Sequence, residues 1–428
     1  MWWGRSAWRA GGSLVLALTL SGGAQCIEPA PQPGLFSGQA LDFERTSGKV
    51  VGVYIPNWEP VALVDGLRGS SVTHLLYAFL HVCGPGQLPQ DAPRCEGKRE
   101  FELATAPVDQ TFNDAFVRLK ARASHVKVLA SVGGWGGSDP FFHLANEAAR
   151  RDRFAASAVA FLRSHPGFDG IDIDWEHPTS NGSANGVALG SPDDGQGYAD
   201  LMHALRKALD SLSAETGRPY LVTSAINANA SLVGKINYRE AVRSMDLVFV
   251  MSYDFYGPWT ATAGHHSALR SRDPQGDDSL ENAIRTMRQA GVPPSKLVAG
   301  VAMYGRGFTG VTAPAPGASF NGVKRAGVFA GADGSLPYRE IASRYLDRQG
   351  RGRLGYQVVF DVKAESYALW NPRNALYMGY DDPRGILRKG RLVVEQGLAG
   401  VFAWEYSQDN GDLLNAMNRA VGHLPLRP

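Results

Sequence analysis

The densest run of reactive side chains is Phe168-Asp169-Gly170-Ile171-Asp172-Ile173-Asp174-Trp175-Glu176. On a β-strand alternate side chains share a face. Asp172, Asp174 and Glu176 then line one face, about 6.6 Å apart along the chain, and Ile171, Ile173 and Trp175 line the other. Asp169 stands off this parity and is read as structural. Three carboxyl groups on one buried face are costly unless they are hydrogen-bonded or share protons. Their mutual repulsion raises at least one pKa, as a general acid working near neutral pH requires. The alternation alone leaves two other readings open. A solvated amphipathic edge strand would show it, and so would a divalent-metal site.

The elements around the run bear on that choice. Short β-branched segments recur at 50–55, 73–80, 126–132, 168–174, 220–226, 247–253, 297–303 and 398–404. Amphipathic helical spacings lie between them, such as Phe112, Phe116 and Leu119, then Phe154, Ala158 and Phe161, then Leu201, Leu205 and Leu209. Helical patterns also cover 279–290, 383–396 and 410–421. Eight strands alternating with helices suit a closed parallel barrel or a doubly wound sheet, and the count favours a (β/α)8 TIM barrel. Barrel active sites sit at the C-terminal ends of the strands, where Glu176 falls. The interval before the last strand carries strand-like pieces at 356–360 and 375–380 and a helical pattern near 337–348. It is read as a small α+β insertion over 309–379, with the barrel over 46–308 and 380–425.

With the ladder on a barrel strand, the chain resembles the family 18 glycoside hydrolases, and in its insertion the subfamily A bacterial chitinases. Asp169-Gly-Ile-Asp172-Ile-Asp174-Trp-Glu176 matches the family's D-G-x-D-x-D-x-E signature. Ser131-Val132-Gly133-Gly134-Trp135 resembles its S-x-G-G element and Met251-Ser252-Tyr253-Asp254 its M-x-Y-D. Tyr304-Gly305-Arg306-Gly307-Phe308, Trp404-Glu405, Tyr54 with Asn57-Trp58, and Tyr77-Ala78-Phe79 follow in order.

The resemblance implies hydrolysis of β-1,4-linked N-acetylglucosamine polymers by substrate-assisted catalysis, an exception to the two-carboxylate scheme. Glu176 would be acid and then base. Asp174 would hold the acetamido N–H and share a proton with Asp172, and Tyr253 would donate to the acetamido oxygen. Tyr54 and Ser131 would bond the inner carboxyl pair, Ser131 being equally readable as a small residue for close strand packing. Asp254 could turn into the cleft to bind sugar hydroxyls, and Met251 would line it. Arg306 would meet either sugar or a neighbouring acid. Trp404 would floor the reacting subsite, with Trp135, Trp259 and Phe79 beside it. Flat rings with polar edges suit pyranose stacking, whereas Trp175, on the outward parity, reads as core. The partners expected are chitin and chito-oligosaccharides, with no cofactor or metal. Two rivals stand: an endo-β-N-acetylglucosaminidase acting on N-glycans, and a non-catalytic chitinase-like lectin, which usually lacks the carboxyl kept here as Glu176.

Other function classes find little support. Lys+Arg is 43 against Asp+Glu 41, with no long run of like charge, so neither a nucleic-acid stripe nor a polybasic membrane patch is expected. No phosphate-cradling loop, H-E-x-x-H or G-x-S-x-G appears. The adjacent pair His265-His266 cannot share a face of a regular element and reads as loop. Arg5 and Arg9, the apolar run 14–20 and small residues to Ala24 have the order of a secretory signal. The reading is therefore a secreted monomer, extracellular or periplasmic, with a signal at 1–24 and a flexible leader at 25–45. An oxidising compartment would permit Cys83 and Cys95 to pair. Cys26 would be left over.

Overall fold

A computed structural model describes residues 34–426, apart from 228, 272, 274 and 315–317. Eight parallel strands form a closed barrel: β1 (Val50–Pro56), β2 (His74–Val82), β3 (Lys127–Gly133), β4 (Gly170–Asp174), β5 (Leu221–Ile226), β6 (Leu247–Val250), β7 (Leu297–Ala302) and β8 (Gly400–Trp404). Each pairs with its neighbours in sequence, and β8 closes onto β1. Helices Pro107–Arg122, Ala148–Ser164, Asp194–Thr216, Leu280–Gln289 and Pro383–Glu395 lie between strands, and Asp412–Ala420 follows β8.

The period-2 pattern sorts the apolar residues into two cores. Val50, Tyr54, Leu76, Ala78, Leu129, Ala225, Phe249, Val298 and Phe402 fill the barrel's interior. Their chain neighbours, such as Val51, Val53, Ile55, Ile171 and Ile173, pack outward against the helices. β4 lies between β3 and β5, so the acidic run is not an edge strand. Two glycines after β3 allow a close approach there. A Cβ on Gly133 (φ +113°) would lie 2.3 Å from the Asp174 carbonyl oxygen, and one on Gly134 (φ +80°) would meet the Phe79 ring at 2.6 Å.

Three elements depart from the sequence reading. β6 stops at Val250 instead of running to 253, and Asp254 takes a left-handed φ of 60°. Strand parity therefore says nothing about where Tyr253 and Asp254 point. The insertion's sheet starts at Tyr304–Thr309, before residue 309. That strand pairs with Leu376–Tyr380, which pairs with Ser366–Asn371 and then Gln357–Asp361. Ser366–Asn371 was not among the expected pieces. The sheet builds a small core from Phe308, Val311, Phe320, Ala368 and Tyr377, with helix Tyr338–Tyr345 alongside.

The Pro- and Gly-rich leader is also corrected over its described part, 34–45. Leu35 and Phe43 are buried. The Gly38 and Leu41 N–H groups donate to Asp412 and Asn415 at 2.8 and 2.9 Å, and Phe43–Glu44 pairs with Leu424–Pro425. Composition suggests a loop, but these residues find partners at the C-terminal helix. The signal-like segment and Cys26 lie outside the described residues. Cys83 and Cys95 are disulfide-bonded.

Candidate active site

β4 raises a column of acids through the barrel. At its base Asp169 accepts from the Val128 N–H (2.8 Å) and pairs with Lys120 (2.5 Å) and Arg218 (2.9 Å), a structural anchor away from the column. Asp172, fully buried, accepts three hydroxyl bonds: Thr223 Oγ1 to Oδ1 at 2.5 Å, and Ser131 Oγ and Tyr54 Oη to Oδ2 at 2.8 and 3.2 Å. Asp174 is 3% exposed, and its Oδ1 has no hydrogen-bond partner among the described residues. Glu176, at the mouth, is only slightly exposed.

This asymmetry decides where charge sits. Burial pushes Asp172 up to about 6, and the three hydroxyl bonds oppose the rise. Asp174 lies well above the usual carboxylate range, through burial and then the charges of Glu176 and Asp172. Glu176 is raised to about 8 by burial and the nearby Asp254, against a backbone hydrogen bond from Trp135. Asp172, with its three donors, is thus the carboxyl best placed to carry negative charge, and burial and mutual repulsion favour the protonated forms of Asp174 and Glu176. His177 Nε2 lies 3.7 Å from Glu176 Oε2. Burial lowers His177 to about 4, so this neighbour is a neutral imidazole.

Tyr253 sits among these acids. Burial and the fields of Asp174, Asp254, Glu176 and Asp172 hold its phenol well above its ordinary pKa, which keeps it a hydrogen-bond donor. Asp254 accepts from Arg306 Nε at 2.8 Å, and Arg306 Nη1 reaches Asp333 at 2.8 Å. Of the two readings of Arg306, the neighbouring acid is the contact seen. Despite the cost of burial, the nearby His266 and the Arg306 guanidinium hold Asp254 well below the carboxylate range.

Aromatic rings line the mouth. Trp404 stacks on Phe79 (centroids 5.6 Å, 18° between planes) and leans on Tyr54 at 5.1 Å and Trp58 at 6.3 Å. Trp58, Trp135 and Trp259 are 61%, 62% and 59% exposed, whereas Trp175 is buried between Phe141 and Phe142. Arg306 lies over Trp259 at 5.1 Å. Met251 packs at the top of the inner core with Tyr253 and Trp404. Exposed large rings near buried acids are the combination of side chains that suits sugar. Among the described residues no group of three or more His, Cys, Asp or Glu side chains could hold a metal ion.

Sequence reasoning missed Thr223, His177, His266 and Asp333. Thr223 had a signal, being a hydroxyl on the inward parity of β5 between Leu221 and Ala225. The others come together only through loops. His265 and His266 do lie in a loop but are buried, their rings bonded to different partners.

The model of glycosyl hydrolases family 18 matches residues 50–409. Chitinase A of Pseudoalteromonas piscicida is 34% identical over 89% of this chain, which spans 53% of that relative. The chitinase of Autographa californica nuclear polyhedrosis virus is 32% identical over 87% of this chain and 72% of its own length. Among solved structures, a family 18 N-acetylglucosaminidase from Paenibacillus barengoltzii superposes with a TM-score of 0.72 at 28% identity, covering 87% of this chain and 99% of that one. With its barrel, its acidic β4 and a match that spans all eight strands, the chain belongs to glycosyl hydrolase family 18.

Proposed function

We propose that this protein is a secreted chitinase that hydrolyses β-1,4-linked N-acetylglucosamine chains with retention, the substrate's acetamido group serving as nucleophile. The observation that carries the reading is the buried column that ends in Glu176, its carboxyl pushed up by burial, above an Asp174 whose Oδ1 has no partner among the described residues.

Glu176 gives its proton to the glycosidic oxygen as the bond to the anomeric carbon breaks. The acetamido carbonyl oxygen attacks that carbon and forms an oxazolinium ion. Asp174 Oδ1 accepts the acetamido N–H, and Tyr253 donates to the acetamido oxygen, holding it near attack geometry. Asp172, ionised beneath, stabilises the developing positive charge. Glu176, now a carboxylate, takes a proton from water, and the water oxygen opens the oxazolinium on the face the leaving group left. Trp404 floors the reacting subsite, and Trp135, Trp259 and Phe79 flank it. Arg306 holds Asp254 in place.

The relatives named chitinases support the substrate class, and the retained Glu176 favours an enzyme over a lectin. Secretion is supported by the N-terminal charge and apolar order and fits the Cys83–Cys95 bond. The test is product analysis on chitohexaose beside an N-glycan, with the anomer followed by NMR. Shortened chito-oligosaccharides released as the β-anomer are expected. Preferential cleavage of the N-glycan, or efficient hydrolysis of cellobiosides lacking the acetamido group, would overturn the reading.

A further inference from the structure

His266 belongs to no motif in the ladder, yet it lies against the acid that faces Glu176. Its side chain has no solvent exposure. Nε2 lies 3.2 Å from the Tyr304 carbonyl oxygen. A carbonyl only accepts, so Nε2 carries a proton. Nδ1 then faces Asp254 Oδ1 at 3.6 Å and has no other partner among the described residues. In a neutral ring Nδ1 would be a lone pair buried against a carboxylate oxygen, and both atoms would repel. A second proton turns that repulsion into attraction.

We propose that His266 is a positioning residue held as an imidazolium against Asp254, so that Asp254 is ionised between two cations, Arg306 and His266, and this triad limits how tightly Glu176 holds its proton. The surroundings are consistent with a cation. The Tyr304 ring lies 5.2 Å from the imidazole, centroid to centroid. The nearby cation Lys389 is occupied by Asp381 at 2.9 Å, next to Ser267. Arg306 is shared between Asp254 and Asp333. Among the described residues the acid paired with His266 is Asp254, the carboxylate whose charge raises Glu176. Removing the imidazolium charge leaves Asp254 less compensated and increases its field at Glu176.

The inference rests on Glu176 as the acid–base of the proposed chitinase, so two measurements separate the claims. In the wild-type protein, 15N NMR of labelled histidine between pH 5 and pH 8 should show both ring nitrogens of His266 protonated. A neutral ring at pH 6 would overturn the proposal whatever the enzyme's activity. His266→Asn and His266→Gln keep a donor but lose the charge. Their kcat/KM profiles on a 4-nitrophenyl chito-oligosaccharide should move the basic limb upward by about 0.5–1 pH unit, and a purely packing role would lower the rate without moving that limb. An unmoved limb in a folded variant overturns the coupling. A wild-type enzyme inactive on N-acetylglucosamine oligomers would instead sink the chitinase reading, and the NMR result would still decide the charge of His266.

Discussion

Replacing Thr223 with Val tests how the acidic column divides its charge. The substitution keeps the side chain's shape and removes the 2.5 Å bond to Asp172 Oδ1, leaving Ser131 and Tyr54 on the other oxygen. A hydrogen bond to a charged group contributes about 1.5–3 kcal/mol, or about 1–2 pH units. Burial pushes Asp172 up to about 6, and losing this donor should take it to at least ~7 in the variant. If turnover needs Asp172 ionised, the acid limb of kcat/KM follows. For a one-unit rise the ionised fraction at pH 6 falls from about one-half to about one-eleventh, so the variant-to-wild-type ratio drops roughly fivefold. At pH 8 the two should agree within about 10%. The assay is the pH profile from 4 to 9 on a chromogenic chito-oligosaccharide. A ratio that stays constant with pH would refute the claim that Asp172 is the ionised member and Asp174 the proton holder.

Glu176→Gln should cost at least ~10²–10⁴-fold in kcat while oligosaccharide binding survives, and retained turnover would remove Glu176 as the acid. The same variant should change stability with pH. A free Glu ionises near 4.5 and the folded one near 8. Its contribution is therefore fully present below about 4.5 and is lost as pH rises through about 8, and by pH 7 the native protein should have lost up to about 3 kcal/mol that the Gln variant does not lose. Denaturation midpoints of the two proteins at pH 4 and pH 7 check the sign. Trp404→Ala removes the ring stacked on Phe79 and should weaken oligosaccharide binding by about 1.5 kcal/mol, or ~10-fold in Kd by calorimetry on the Glu176→Gln background; an unchanged Kd would show that Trp404 floors no subsite. Cys83→Ser opens a loop whose ends are 12 residues apart and should cost about 3 kcal/mol on a chain-entropy account, read as a lower denaturation midpoint. A midpoint insensitive to both this change and reductant would refute it.

The barrel was legible because its signals are local. A period of two repeats eight times with helical spacing between, and each segment carries its own evidence. The column was legible for the same reason, since strand parity separates Asp172 and Asp174 from Ile171 and Ile173, although Glu176 falls two residues past the end of β4. Where the strand stops, parity stops helping. β6 ends before Tyr253, so the orientation of Tyr253 and Asp254 follows from a left-handed turn that no alternation announces. The leader misled because Pro and Gly content reports the chain's loop tendency and says nothing of the helix against which residues 34–45 pack.

By itself the sequence determined the order of strands and helices, which carboxyls share a face, and where along the chain the large rings fall. Only the tertiary structure decided how far each of those carboxyls is pushed toward holding its proton. That depends on donors 118, 41 and 51 residues from Asp172, namely Tyr54, Ser131 and Thr223, and on the pairing of Asp254 with Arg306 and His266. A buried acid's proton affinity is set by the dipoles and charges within a few ångströms of it, and closing the barrel is what brings those groups within reach.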